Sequence, residues 1–276
     1  MNFWKKVLEI IDRDMPVPEP FEWFHLLFVA LSIAAAVILV LTQKPGDFDR
    51  TRRVVFITAV IVTVLEIYKQ INFSFSYSGE NIEFNFQWYA FPYQFCSLPM
   101  YVGLLSGCFK KGRILDSLLA FLATYAIFGG ICVMAYPVQV FVPTIGINVQ
   151  TMVCHGTMIT MGAYLLATGA VRLEHKTIFK ALPVFGVAVT LAVIMNEAAY
   201  YTGLLETHTF NMFFISRHCE PSLPVYSLVQ AVVPYPFCLI IYIIGFTLAA
   251  YAMLLIAMGI NRIINFVNQG RKKANV

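Results

Sequence analysis

The sequence predicts an all-α membrane protein of seven transmembrane helices, N-terminus outside and C-terminus cytoplasmic, and three observations carry that prediction. Of the 276 residues, 59% are hydrophobic and only 12% charged, whereas a soluble domain is about a quarter charged. Several apolar runs approach or exceed the roughly 20 residues that cross the ~30 Å hydrocarbon core. Lysine and arginine, finally, are sorted between loops. With spans at 21–42, 54–73, 88–108, 114–136, 149–171, 178–202 and 225–260, fourteen of the nineteen basic residues fall after spans one, three and five or in the C-terminal tail. Only Lys5, Lys6, Arg13, Lys69 and Arg217 lie on the other side. Basic loops mark the cytoplasmic face, and an even number of spans would destroy the pattern. The net charge of +4 then follows from topology and anionic headgroups, and no nucleic acid is needed to explain it.

The chain reads as a single membrane domain, 1–276. Residues 1–20 have no long apolar core and no small-residue cleavage site, so they are not a cleavable signal. Phe3, Trp4, Val7, Leu8 and Ile11 share one helical face, with Lys5, Lys6, Asp12 and Arg13 largely off it. That pattern predicts an interfacial helix ended by the proline-rich 16–20 segment. The seven-helix bundle occupies 21–265, and 266–276 form a basic tail. Between spans two and three, Phe73, Phe75 and Tyr77 alternate with serines, SGEN follows, and Ile82, Phe84 and Phe86 alternate with polar residues. Period two on both sides of a turn fits an outer β-hairpin; an irregular aromatic loop fits as well. Residues 203–224 exceed a mere connector and are expected to fold back over the outer face.

Phosphate loops, dinucleotide fingerprints, CxxC pairs and HExxH are absent from the sequence, so neither a cofactor nor a metal is expected. Five of the six cysteines sit in or at the ends of spans, and only Cys219 is in an outer loop, which is no disulfide framework. His208, His218, Cys219 and Glu220 offer an outer-face metal site as an alternative, with a spacing that fits no standard pattern.

Ionisable residues inside a span cost roughly 2.5–3.5 kcal/mol each, so they need a reason. Glu66, His155 and Glu197 are such residues, Cys96 is the reactive neutral group, and His25 lies nearer the outer boundary of span one. Counted from the nearest cytoplasmic basic residue, Cys96 and Glu66 lie ~20 Å in, and His155 and Glu197 ~26 Å in, at about 1.5 Å per residue. Four helices thus place functional-looking groups in one layer of the outer half. Within 91–102, FPYQFCSLPMYV, Pro92 and Pro99 cannot donate to the helix ladder. Broken backbone at membrane depth needs protein or a polar cavity to satisfy it. Span three is therefore expected to kink and present Cys96, flanked by Gln94 and Ser97, towards a pocket. Each of these residues also has a structural reading: Cys96 as a packing thiol, His155 as an interhelical donor beside the close-approach residue Gly156, Glu66 as the partner of Lys69. Glu197, which follows Asn196, reads equally as a protonated structural carboxyl or as an orienter of His155.

Cys96 in FPYQFCSLP followed by His155 in VCHG resembles the YwaF-like bacterial integral membrane proteins, related to the eukaryotic transmembrane-protein-164 acyltransferases. Asn211 in TFNMFF looks like the family's outer-loop Asn-Tyr element, with Met212 in the tyrosine's place; Gln94 stands where the family often has histidine. The resemblance implies a seven-helix cysteine acyltransferase acting on membrane phospholipids and lysophospholipids, and with the compact loops it implies a bacterial plasma membrane. A thiol reacts as its thiolate, and a neighbouring histidine can take its proton. Cys96 would form a thioester and His155 would serve as base, then acid. Gln94, Asn211 or a tyrosine such as Tyr93 would supply oxyanion donors, with Ser97 and Gln150 beside the substrate. Proline-broken helices and buried carboxylates also occur in transporters, so a lipid- or small-molecule-binding protein or transporter is the rival reading; no inverted repeat supports it.

Overall fold

The computed structural model describes residues 3–44, 46–78, 81–203 and 209–274. Five helical stretches are long and apolar enough to cross a membrane by length and composition: α2 (Trp23–Thr42), α3 (Phe48–Ser74), the continuous stretch Arg113–Ala135, α8 (Lys176–Thr202) and α10 (Tyr235–Ala274). A shorter apolar piece, Phe95–Cys108, ends in α4 (Leu98–Cys108). The stretch 113–135 comprises α5 (Arg113–Phe121), a π turn (Leu122–Ala126) and α6 (Ile127–Ala135). The central helix α7 (Ile145–Ala167) is about 34 Å long. It buries Asn148, Gln150, Thr151, His155 and Thr160 along with its apolar residues and packs against α2, α3 and α6.

The two ends of the bundle differ. One carries the basic loops. The other, called here the hairpin end, carries α1 (Phe3–Ile11) and a two-stranded antiparallel sheet, β1 (Phe75–Ser78) and β2 (Asn81–Phe84). The strands pair Phe75 with Phe84 and Tyr77 with Ile82, as the period-two pattern predicts; Gly79 and Glu80 of the turn lie outside the described residues. The N-terminal segment is pinned across this end. Tyr68 Oη and Asn72 Nδ2 donate to the Ile11 carbonyl, and Met15 N and Ile145 N bond Pro143 O and Arg13 O. His25 is a clamp: its Nδ1 accepts from Phe21 N and its Nε2 donates to Met134 O, both at 2.8 Å. Those two bonds account for its burial.

Two expectations are corrected. Span seven is interrupted: α9 (Pro224–Gln230) is separate, and α10 starts only at Tyr235. Pro234 cannot continue a helix from the preceding turn. Conversely, α10 does not stop near 260 but runs 40 residues to Ala274, about 60 Å, twice the hydrocarbon thickness. Nothing in 261–274 caps or breaks it, and polar side chains pose no obstacle to a helix that has left the apolar layer. Span three is the other departure, taken up below.

Packing depends on close approach. An aromatic column ties α5, the π turn, α8 and α10 together: ring centroids lie 5.5 Å apart for Phe121–Tyr125, 4.6 Å for Tyr125–Phe185 and 5.7 Å for Phe185–Phe246. On the other side Gly103 brings α4 onto α3, where an added Cβ would sit 2.6 Å from Ala59 Cβ. Gly186 has nothing within 4 Å of such an atom. Alanine is the better helix former by about 1 kcal/mol, so Gly186→Ala raises the melting temperature of the purified protein. Gly103→Ala lowers it, by a stability loss of about 1–3 kcal/mol from overpacking.

Candidate active site

Cys96 is presented by unwound chain rather than by a kinked helix. Two 3-10 turns, Trp88–Ala90 and Phe95–Ser97, flank a non-helical stretch at 91–94. Pro92 sits in that stretch. Pro99 does not break α4 but begins it, at one of its first two positions, where the missing N–H costs nothing. The freed carbonyls find side chains: Gln70 Nε2 donates to Ala90 O and Tyr101 Oη to Pro92 O, each at 2.7 Å.

The Cys96 side chain lines a narrow crevice between α3, α4, the π turn and α7, shared with Val62, Met100, Ala126, Cys154 and Met158. At about 20 Å³ it has room for roughly one water. Cys154, rather than His155, faces Cys96 across it. His155 is the next residue, 1.5 Å along α7 and about 100° around it. Its Nδ1 lies 2.8 Å from Thr151 O. A carbonyl only accepts, so Nδ1 carries the proton and Nε2 keeps its lone pair, the form a general base needs. The pair Gly129–Gly130 of α6 lets both neighbourhoods close up: a Cβ on Gly129 would meet the Phe95 ring at 2.5 Å, and one on Gly130 the His155 carbonyl at 2.8 Å. Gly156 is a close-approach residue too, facing Ser32 of α2.

Glu66 is buried and ion-paired with Lys69 at 2.7 Å. Gln70 Nε2 donates to its Oε1 (2.9 Å) and Gln150 Nε2 to its Oε2 (3.4 Å). Gln150 Nε2 also lies 3.4 Å from Cys154 Sγ. One polar chain thus runs from Lys69 through Glu66 and Gln150 to the crevice wall. The Glu66–Lys69 pair is the one the sequence suggested; Cys154 was not singled out from sequence, although the i,i+4 spacing of Gln150 and Cys154 puts them on one face.

Two of the predicted site residues bond backbone groups. Gln94 Nε2 donates to Asn211 O (3.0 Å) while its Oε1 accepts from Phe213 N (2.9 Å). Asn196 grips the residue between, with Nδ2 to Met212 O (3.0 Å) and Met212 N to Oδ1 (2.8 Å). Asn211 Oδ1 accepts from Ser216 N at 2.9 Å. Residues 210–216 therefore enter the bundle as a plug, with Met212, Phe213 and Ile215 almost fully buried. The Phe213 ring packs on Tyr93 and Phe95, centroids 5.8 and 6.2 Å away. Phe213 and Phe214 both have positive φ, 61° and 56°, a strained backbone that the two amide clamps hold in place. Gln94 through both ends of its amide, and Asn211 through its Oδ1, thus hold this segment in place. Ser97 is buried beside Cys96.

Glu197 does not orient His155. Its carboxylate takes Arg217 Nη2 at 2.7 Å and His218 Nε2 at 3.2 Å at the surface of the hairpin end, because Glu197 is one residue round from Asn196 and faces out. His218 also stacks on Tyr200, centroids 3.5 Å apart, and Cys219 Sγ lies 3.5 Å from Phe210 O. Of the alternative metal set, His208 lies outside the described residues, and among the described residues no cluster of three or more His, Cys, Asp or Glu is placed to hold a metal.

A second, open groove of about 560 Å³ lies between α4, α5 and α8, lined by Tyr93, Leu98, Val102, Leu118, Pro183 and Val187 among others and nearly all apolar. The Tyr93 hydroxyl at its edge is bonded to Ala188 O at 3.3 Å. Leu98 connects this groove to the Cys96 turn two residues earlier.

A model of the TMEM164 family matches residues 20–258 of the chain. No curated protein and no solved structure matches it.

Asn196→Ala leaves the N–H of buried Met212 without its partner and removes one of two donors to its C=O, at about 1–3 kcal/mol. It lowers the melting temperature and opens 209–217 to limited proteolysis, whereas Glu197→Ala, at the surface, leaves the cleavage pattern unchanged.

Proposed function

The chain belongs to the TMEM164 family of multi-pass integral membrane proteins, and from that premise we propose that it is a membrane-embedded phospholipid acyltransferase working through a thioester on Cys96. The observation that carries this reading is the presentation of Cys96 on an unwound turn, facing a crevice whose opposite wall holds Cys154, with His155 the next residue of α7. In the first half-reaction His155 Nε2 takes the thiol proton and the sulfur attacks the acyl carbonyl of a glycerophospholipid. The ester C–O bond breaks, the lysophospholipid oxygen receives that proton from His155, and the acyl group remains on sulfur. In the second, His155 deprotonates the hydroxyl of an incoming lysophospholipid, which attacks the thioester and regenerates the thiol. The Thr151 bond supports this role, since it holds His155 in the tautomer that accepts at Nε2. The apolar groove beside Leu98 suits an acyl chain.

The proposal includes a topology. Adding Phe95–Cys108 and α7 to the five long apolar stretches makes seven spans, with the hairpin end outside and the basic loops in the cytoplasm of a bacterial plasma membrane. That places Cys96 just beneath the external headgroups, at the depth of an acyl ester.

Purified protein supplied with a phospholipid carrying a labelled acyl chain acquires hydroxylamine-sensitive label on the Cys96 peptide. The label is absent in Cys96→Ala, and His155→Ala forms it about 10²–10⁴-fold more slowly. Equal lipid retention by wild type and both variants with no covalent label would instead identify a lipid-binding protein and overturn the proposal.

A further inference from the structure

The reaction above uses a thiol and an imidazole but leaves a buried ion pair beside them without a role. Register locates that pair. The α3 helix and residues 90–108 run antiparallel, in contact at Ala59–Gly103 and again at Gln70–Ala90. Between those two points Glu66 falls opposite Cys96, and Lys69 shares its helical face one turn nearer the hairpin end. On the other side, the Gln150 contact sets Glu66 level with the start of the Cys154–His155 turn of α7. The pair therefore stands where α3, α7 and the Cys96 turn meet.

A buried ion pair adds little net stability, since apolar residues of the same size commonly do as well. Its asymmetry is more informative. Glu66 is held by three partners, Lys69, Gln70 and Gln150, whereas Lys69 has three ammonium donors and meets Glu66 with its side chain only 17% exposed. Lys69 lies within electrostatic reach of both Cys96 and His155. The titratable groups that face Cys96 are Lys69 and Glu66 from α3 and Cys154 from α7. Lys69 is the one amine among them.

We infer that Lys69 is a positioning cation of this site, whose ammonium holds the negative charge that Cys96 bears as a thiolate and that the lipid carbonyl oxygen acquires on attack, with Glu66 setting how much of that field reaches the sulfur. The inference rests on the Cys96 chemistry proposed above, but its test needs no lipid. The rate at which iodoacetamide alkylates Cys96 at fixed pH is read on the Cys96 peptide by mass spectrometry, with the exposed Cys108 as internal standard. Lys69→Met slows alkylation of Cys96 by at least about tenfold, Lys69→Arg restores most of it, and Glu66→Gln, which removes the counter-charge, makes it faster. The pH profile of the rate separates the two causes of acceleration, since a changed field moves its midpoint whereas damaged packing raises the rate at every pH. Equal slowing in Lys69→Met and Lys69→Arg, or no change in Lys69→Met, would overturn the inference. If the methionine variant does not fold, Glu66→Gln decides alone, and an unchanged or lower rate rejects it. A Lys69-dependent thiol in a protein that never forms the acyl adduct would reject the acyltransferase reading while sparing this one. An acyl adduct on a thiol indifferent to Lys69 would do the reverse.

Discussion

Between Phe91 and Gln94 the chain has no helix, and every buried backbone N–H and C=O left over there must find a partner within the protein. The arrangement of the hairpin end follows from that requirement. Gln70 reaches across from α3 for the Ala90 carbonyl, and Tyr101 folds back from α4 for that of Pro92. Gln94 turns its amide outward to substitute for a strand neighbour of residues 211–213, and Asn196 grips the same segment from α8. Side-chain amides thus replace backbone partners at several points. Their geometry holds the Cys96 turn, the plug at 210–216 and the strained Phe213–Phe214 backbone in one piece. Loss of any clamp exposes a buried polar group rather than a contact of marginal worth.

The same region concentrates charge. Most of the bundle interior is apolar or bonded locally, such as the threonines and serines that bond the carbonyl four residues back. Around Cys96, in contrast, a full ion pair, two glutamines, two thiols and a histidine lie within a few turns of three helices. Dry walls strengthen each electrostatic interaction there, so one ammonium can matter to thiol chemistry in a way that it would not at a surface. Glycines on α4 and α6 make the walls close enough for this.

Much of this was legible in the sequence. Two prolines seven residues apart within an apolar run announced a break in the helix, and the structure has one, though as unwound chain before α4 rather than as a bend within it. The period-two aromatics announced the hairpin. Position along each helix can be read from sequence, because rise per residue is nearly constant. Azimuth was not. Whether Glu197 or Asn196 turns inward depends on how α8 is rotated against the plug, and it is Asn196 that does. The same 100° step decides that Cys154, the neighbour of His155, shares the crevice with Cys96. The plug itself was hidden, since Phe210 to Ser216 read as an aromatic loop until the amides that hold it are seen from two other spans.

By itself the chain determined its class and its inventory: apolar runs, sorted basic residues, a proline-broken segment around one thiol, and a handful of ionisable groups too costly to bury without cause. These are one-dimensional properties, set by composition and by spacing along a helix of fixed pitch. Tertiary structure alone decided which of those groups meet. Helix rotation, the register of α3 against residues 90–108, and the re-entry of 210–216 are fixed by long-range packing and by the need to satisfy unwound backbone, and no local pattern encodes any of the three.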